Sequence, residues 1–392
     1  MKNVTVVIAG IGGYGNKILK NMLPNLEAWG IDLVAVADPN RQAAPLWQEL
    51  VTRGIPGYDS LEEFYRCYRA DLAILCTPIH LHQDQAILAM KNGSDVLCEK
   101  PTAATLPQSD EMEQVARETG RHLHIGFQLS YVPALWQLKR DIMAGVLGAP
   151  KTLSAWISWP RNAEYYARSW CAKLKWKGQY VLDSIAMNAC AHYLHIMYFL
   201  LGGTMDTAAM PEKGEALLLR ANPIETFDTA MLRVETGGAQ LHFLATHTGR
   251  KRTDPTLRFV FENAVVEVAE TGEADAVCAR FRDGRIKNYG SVKGDFYNKI
   301  PYCCQVVRGE AEPICTPTTA RAHLKTVNAI TELVPVQTVE DCCREDGFVI
   351  LEGLDDLLAE AFRQTKMPWE LTDRFGSPTT VDLEHYTWRD TL

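Results

Sequence analysis

Through the first 126 residues, short aliphatic runs alternate with stretches whose apolar residues recur at helical spacing. Segments 4–9, 33–37, 72–76, 96–98 and 122–125 read as strands, because they are nearly continuous apolar runs of the kind a strand covered on both faces needs. Helices are predicted to begin near Tyr14, Arg41, Leu61, His80 and Leu106. Strand and helix in strict alternation predict a doubly wound α/β domain with a parallel sheet over 1–126. After Phe127 the rhythm changes. A helix over 132–144 ends at Gly145, and strand-like segments then follow at 151–159, 214–221, 226–235, 238–246, 258–262 and 265–269 without crossover helices. Further helices are expected over 186–201, 319–333 and 345–364, so residues 127–392 form a second domain of α+β type.

Composition narrows the function without naming it. A chain of 392 residues with 47% hydrophobic content can fill two cores. The net charge of −8 is spread without like-charge blocks, which argues against nucleic acid and anionic membranes as partners. The apolar run from Val4 to Ile11 is too short to span a bilayer and leads into glycines, so a cytoplasmic location is expected. The eleven cysteines are scattered, and the adjacent pairs Cys303-Cys304 and Cys342-Cys343 lack zinc-ligand spacing; reduced thiols and no metal are expected.

Gly10-Ile11-Gly12-Gly13-Tyr14-Gly15 fits G-x-G-x-x-G between a strand and a helix. Gly10 permits the tight turn, Gly12 lets the backbone approach a diphosphate, and Gly15 lets the helix pack close to the strand. Asp38 closes the next strand at the distance where a carboxylate accepts ribose hydroxyls, which favours NAD; Arg41 could hold a 2′-phosphate and keeps NADP open.

Two further segments, Cys76-Thr77-Pro78-Ile79-His80-Leu81-His82 and Cys98-Glu99-Lys100-Pro101, resemble the glucose-fructose oxidoreductase, inositol dehydrogenase and MocA family (Gfo/Idh/MocA). The likeness continues through Ile125-Gly126-Phe127-Gln128 and the His192 stretch ending Leu200-Leu201-Gly202. The resemblance implies a Rossmann domain followed by an open, largely antiparallel sheet, with one face toward the nicotinamide and the other building a dimer or tetramer. It implies NAD(P)-dependent hydride transfer to or from a sugar or inositol hydroxyl, with Thr77, Pro78, His82, Glu99 and Lys100 near the cofactor and Gln128 near the substrate.

Oxidising a secondary alcohol requires a group that takes the hydroxyl proton as hydride leaves carbon. Lys100 is the first candidate and His192 the second. Where the family has aspartates, this chain has Asn188 four residues before His192 and His195 three after it. Helical spacing places Asn188 and His192 on one face. Asp183, five residues before Asn188, is the candidate for the missing carboxylate. Arg161, Tyr165, Arg168 and Trp170 combine aromatic faces with cationic forks, a mixture that suits either a sugar or a subunit interface. The alternatives to a dehydrogenase are a glycosidase that oxidises its sugar transiently with NAD, and a non-catalytic sensor of NAD or sugar.

Overall fold

The computed structural model describes residues 2–269 and 276–392. The chain packs as two compact units: Met1–Tyr131 with Asp295–Ala320, and Val132–Gly294 with Arg321–Leu392. The division at residue 126 therefore leaves out a return. Segment 295–320, which carries the helix Lys299–Val307, packs with the first unit.

In the first unit, six parallel strands lie in the order Gly57–Tyr58, Ile31–Ala37, Val4–Ala9, Leu72–Leu75, Asp95–Cys98, Leu123–Ile125. This is the doubly wound Rossmann order, and its direction reverses between Val4–Ala9 and Leu72–Leu75. The central strands are buried almost completely, with Val6, Val7 and Ile8 at 0% exposure, which is why they read as unbroken apolar runs. The two-residue strand Gly57–Tyr58 has no apolar run of its own and is absent from the sequence reading.

The second unit is built on a mixed, mostly antiparallel ten-stranded sheet. Its long path runs Ile286–Gly290, Val277–Phe281, Ala264–Ala269, Thr253–Phe261, Pro150–Ser158, Ala239–Thr246, Thr229–Thr236, Lys213–Arg220, Val336–Thr338. Pro150–Ser158 pairs parallel with Ala239–Thr246 and antiparallel with Thr253–Phe261.

One expectation about this sheet is corrected. The predicted helix over 345–364 begins only at Leu354, because a hairpin of Cys343–Glu345 and Phe348–Ile350 precedes it and Gly353, at φ 72°, sets the entry. Its apolar stripe, Leu354, Leu358 and Ala361, packs on Trp156, Leu217, Leu219, Met231 and Leu244 of the sheet. The chain thus covers this sheet face with its own C-terminal helix, so an uncovered face does not by itself call for a second subunit.

Candidate active site

The glycine turn is built as its motif requires. Gly10 has φ 79°, and a Cβ there would lie 2.8 Å from the Cys76 carbonyl oxygen; a Cβ on Gly15 would lie 1.9 Å from the Gly10 carbonyl oxygen. Beside Gly12 and Gly13 there is open space, with nothing within 4 Å of a Cβ. Helix Gly13–Met22 starts on Gly12 with no side-chain cap, so its first N–H groups are available to an anion. A diphosphate fits this cradle, and a side chain at Gly15 would force the helix away from the Gly10 turn.

Asp38 follows Ile31–Ala37, and its carboxylate is fixed against the turn: Oδ2 accepts from the Ile11 N–H at 2.9 Å and Oδ1 from the Asn40 N–H at 2.8 Å. Arg41 is already engaged. Its guanidinium is ion-paired with Asp59 and lies 5.7 Å from the Trp47 ring, which leaves it poorly placed as a phosphate grip.

The Thr77-Pro78 turn follows strand Leu72–Leu75, and Glu99-Lys100 follows Asp95–Cys98, at the carboxyl ends of neighbouring parallel strands. His82 ties them together. Its Nδ1 meets the Pro101 carbonyl and its Nε2 the Thr77 carbonyl, both at 2.9 Å. Burial lowers the His82 pKa, and a neutral ring donates to one carbonyl at a time. With both nitrogens occupied and 1% exposure, His82 clamps the two turns together. Lys100 is half-buried at the start of its turn, and the Lys100-Pro101 bond is cis.

Glu99 is also turned inward. Its side chain is buried and ion-paired with Lys299, whose ammonium also donates to the Gly126 carbonyl at 3.3 Å and to the Tyr14 hydroxyl at 3.4 Å. Gly126 makes room, since a Cβ there would lie 2.9 Å from the Glu99 carboxylate. Burial pulls the Lys299 pKa down, and the Glu99 carboxylate more than offsets it, so the lysine stays charged. The Tyr14 hydroxyl in turn donates to Gln128 Oε1 at 3.1 Å. Glu99 therefore anchors a buried polar network beneath the glycine turn. Lys299 was missed because a lone lysine between Asn298 and Ile300 reads as a surface residue.

In the second unit the local helix differs from the predicted one. Residues Ile185–Ala189 form a π-turn closed by the Cys190 N–H to the Ile185 carbonyl at 2.8 Å, and the α-helix begins only at Ala191. The α-helical four-residue spacing from Asn188 to His192 is therefore not realised. Asn188 instead turns to Asp183: its Nδ2 donates to Oδ1 at 2.7 Å, while Oδ2 accepts from the Ala172 N–H at 2.6 Å. Burial raises the Asp183 pKa despite these donors.

Helix Ala191–Leu200 is buried on every face, so polar spacing along it cannot mark a solvent-facing side. His195 is fully buried and stacked on Phe199 at 6.2 Å, with its pKa well lowered by burial and by nearby His323 and Lys139. The structure places it in the core of the second unit. His192, at 8% exposure, is the more accessible of the two and lies 6.4 Å from the Tyr193 ring.

The 159–171 segment folds around Tyr165. Asn162 caps the short helix Ala163–Tyr166 through the Tyr165 N–H at 3.2 Å. Arg161 and Arg168 place their guanidinium carbons 4.6 and 4.2 Å from the Tyr165 ring centre, and Trp170 lies 5.4 Å from Arg168. Burial of His247, which meets the Tyr165 ring edge-on, together with the nearby Arg161, lowers its pKa to about 3, so that ring is neutral.

Residues 4–127 match the model of the family GFO_IDH_MocA, described as an oxidoreductase family with an NAD-binding Rossmann fold. Over this stretch the chain is similar to the Gfo/Idh/MocA family. The chain is 31% identical over 139 residues to the rhizopine catabolism protein MocA of Rhizobium meliloti, and 31% over 150 residues to the scyllo-inositol 2-dehydrogenase (NAD(+)) of Bacillus subtilis. These alignments cover 36% and 38% of this chain and 43% and 42% of the two relatives. The chain therefore matches less than half the length of either of these Gfo/Idh/MocA relatives. In fold, it is similar to the WlbA dehydrogenase of Bordetella pertussis, solved with NADH and UDP-GlcNAcA, at a TM-score of 0.68 and 23% identity over 85% of this chain and 96% of the other.

Proposed function

We propose that the protein is an NAD-dependent dehydrogenase acting on a CH–OH group of a carbohydrate-like substrate. The observation that carries this reading is the grouping, within the first unit, of an uncapped glycine turn, a fixed Asp38 and the Lys100 turn at the carboxyl ends of adjacent parallel strands. Gly10, Gly12, Gly13 and Gly15 hold the diphosphate, and Asp38 accepts the adenosine ribose hydroxyls. NAD is preferred over NADP because the Asp38 carboxylate repels a 2′-phosphate while Arg41 is committed to Asp59.

When bound, NAD supplies the hydride acceptor. Lys100 takes up the hydroxyl proton and, in the reverse direction, polarises the carbonyl; His82 keeps its turn in place. On the family resemblance, His192 in the second unit assists proton movement, while the buried Asp183 carboxylate fixes the orientation of the Asn188 amide. The free thiols of all eleven cysteines support a reducing, cytoplasmic setting. A homo-oligomer stays part of the reading on the family resemblance alone, and sedimentation velocity at micromolar concentration tests it: a monomer removes it.

The test is absorbance in the reduced-nicotinamide band with NAD and a panel of sugars, inositols and glycosides. Accumulating NADH is expected. Release of an aglycone without net NADH replaces the reading with the redox-assisted glycosidase, and tight NAD binding with neither product replaces it with the sensor.

A further inference from the structure

Segment 159–171 holds two guanidinium groups that no carboxylate of the described chain neutralises. Arg161 and Arg168 both lie against the Tyr165 ring, and neither forms an ion pair among the described residues. Arg161 Nε is buried with no hydrogen-bond partner there. Arg168 donates only to the neutral Tyr165 carbonyl at 3.0 Å and the Cys171 sulfur at 3.2 Å. Elsewhere in the same unit the pattern is different: Arg233 binds Glu215 and Glu370, and Arg250 binds Glu345 and Glu352.

The nearby carboxylate is already used. Asp183 is satisfied by the Ala172 N–H and the Asn188 amide, and it acts on Arg168 only at longer range. The aromatic faces favour the cations but supply no net counter-charge. Two like charges gathered on one ring, one of them with a buried unsatisfied donor, are stabilised by an anion that arrives from outside. The cluster is continuous with the substrate-side residues of its own unit, because the Trp159 ring meets Tyr193 edge-on at 5.9 Å, next to His192.

We propose that Arg161 and Arg168 bind a carboxylate of the substrate, so that the substrate class is a sugar acid, a uronate or an aldonate. This rests on the dehydrogenase reading and narrows it. A guanidinium fork matches a carboxylate in two parallel hydrogen bonds. The planar fork matches a planar carboxylate, and the 6-phosphate arm of the test separates it from a phosphate.

The test compares D-glucuronate, D-glucose and D-glucose 6-phosphate as probes, by calorimetric binding to the NAD-loaded protein and by NADH formation. Glucuronate is expected to bind more tightly than the other two. In Arg161→Gln and Arg168→Gln, the affinity for glucuronate relative to glucose is expected to fall about ten- to hundredfold each, with circular dichroism and NAD affinity checking that the variants fold. Equal or tighter binding of glucose overturns the carboxylate site while leaving the dehydrogenase reading intact, provided NADH still forms. Tightest binding of the 6-phosphate overturns the choice of carboxylate, and unaltered discrimination in both variants overturns the role of the arginines. Absence of NADH with every probe, alongside tight arginine-dependent glucuronate binding, contradicts the dehydrogenase reading and keeps the anion site.

Discussion

The Asn188 amide and the Asp183 carboxylate are joined directly, Nδ2 to Oδ1 at 2.7 Å, across a π-turn. The hydrogen bond fixes which way the amide faces and holds a buried carboxylate in place. Asn188→Ala removes a donor from that carboxylate and is expected to destabilise the fold by about 1 to 3 kcal/mol. A double-mutant cycle with Asp183→Asn, read by urea denaturation, checks it: additive effects would show that the two residues are not coupled.

The Glu99–Lys299 pair makes a second prediction. Lys299→Met leaves a carboxylate buried without its cation, a change that typically costs about 3 to 5 kcal/mol. Glu99→Gln in the same chain is expected to recover part of the loss, because a neutral amide replaces the stranded charge. Thermal melts of the single and double variants measure both, and a double variant less stable than Lys299→Met would contradict the pairing.

Cofactor choice is predicted to rest on Asp38. Asp38→Ala is expected to weaken NAD and narrow the gap between NAD and NADP, because it removes both a ribose acceptor and a like charge facing the 2′-phosphate. Fluorescence titration of the two cofactors follows the change. Tighter NADP binding by the unaltered protein would mean that Arg41 leaves Asp59 and governs the pocket.

His242 predicts a dependence of stability on pH. Burial, and then Arg233, lower its pKa from 6.5 to about 4, with Glu370 opposing. The unfolded chain therefore binds the proton first. The contribution is fully present above about pH 6.5 and is lost as pH falls through the window to about 4. At 1.36 kcal/mol per unit this is on the order of 3 kcal/mol; it should be absent from His242→Phe, so the stability difference between wild type and this variant should change by about that amount between pH 7 and pH 4. Denaturation at pH 7 and pH 4 measures it.

What the sequence made legible was periodic or local. The apolar runs of the first unit gave its strands, with 4–9 matching Val4–Ala9 end to end, and the glycine spacing located a turn whose backbone needs are met at Gly10 and Gly15. Features set by distant contacts or by a broken period stayed hidden. Lys299 meets Glu99 across 200 residues, which no local pattern records. The π-turn at 185–189 defeats a reading that assumes 3.6 residues per turn, and a helix buried all round gives no polar face from which the burial of His195 could be read.

If Lys100 takes the hydroxyl proton, Lys100→Ala should lose turnover while keeping the cofactor. NAD affinity, measured by fluorescence titration, should stay near that of the unaltered protein, because the diphosphate and ribose contacts lie at the glycine turn and Asp38. NADH formation with a sugar substrate should fall about a hundred- to ten-thousandfold, the range for losing a general acid–base group. Turnover within a few-fold of the unaltered protein, with NAD affinity intact, would contradict the assignment of Lys100 as the group that takes the proton.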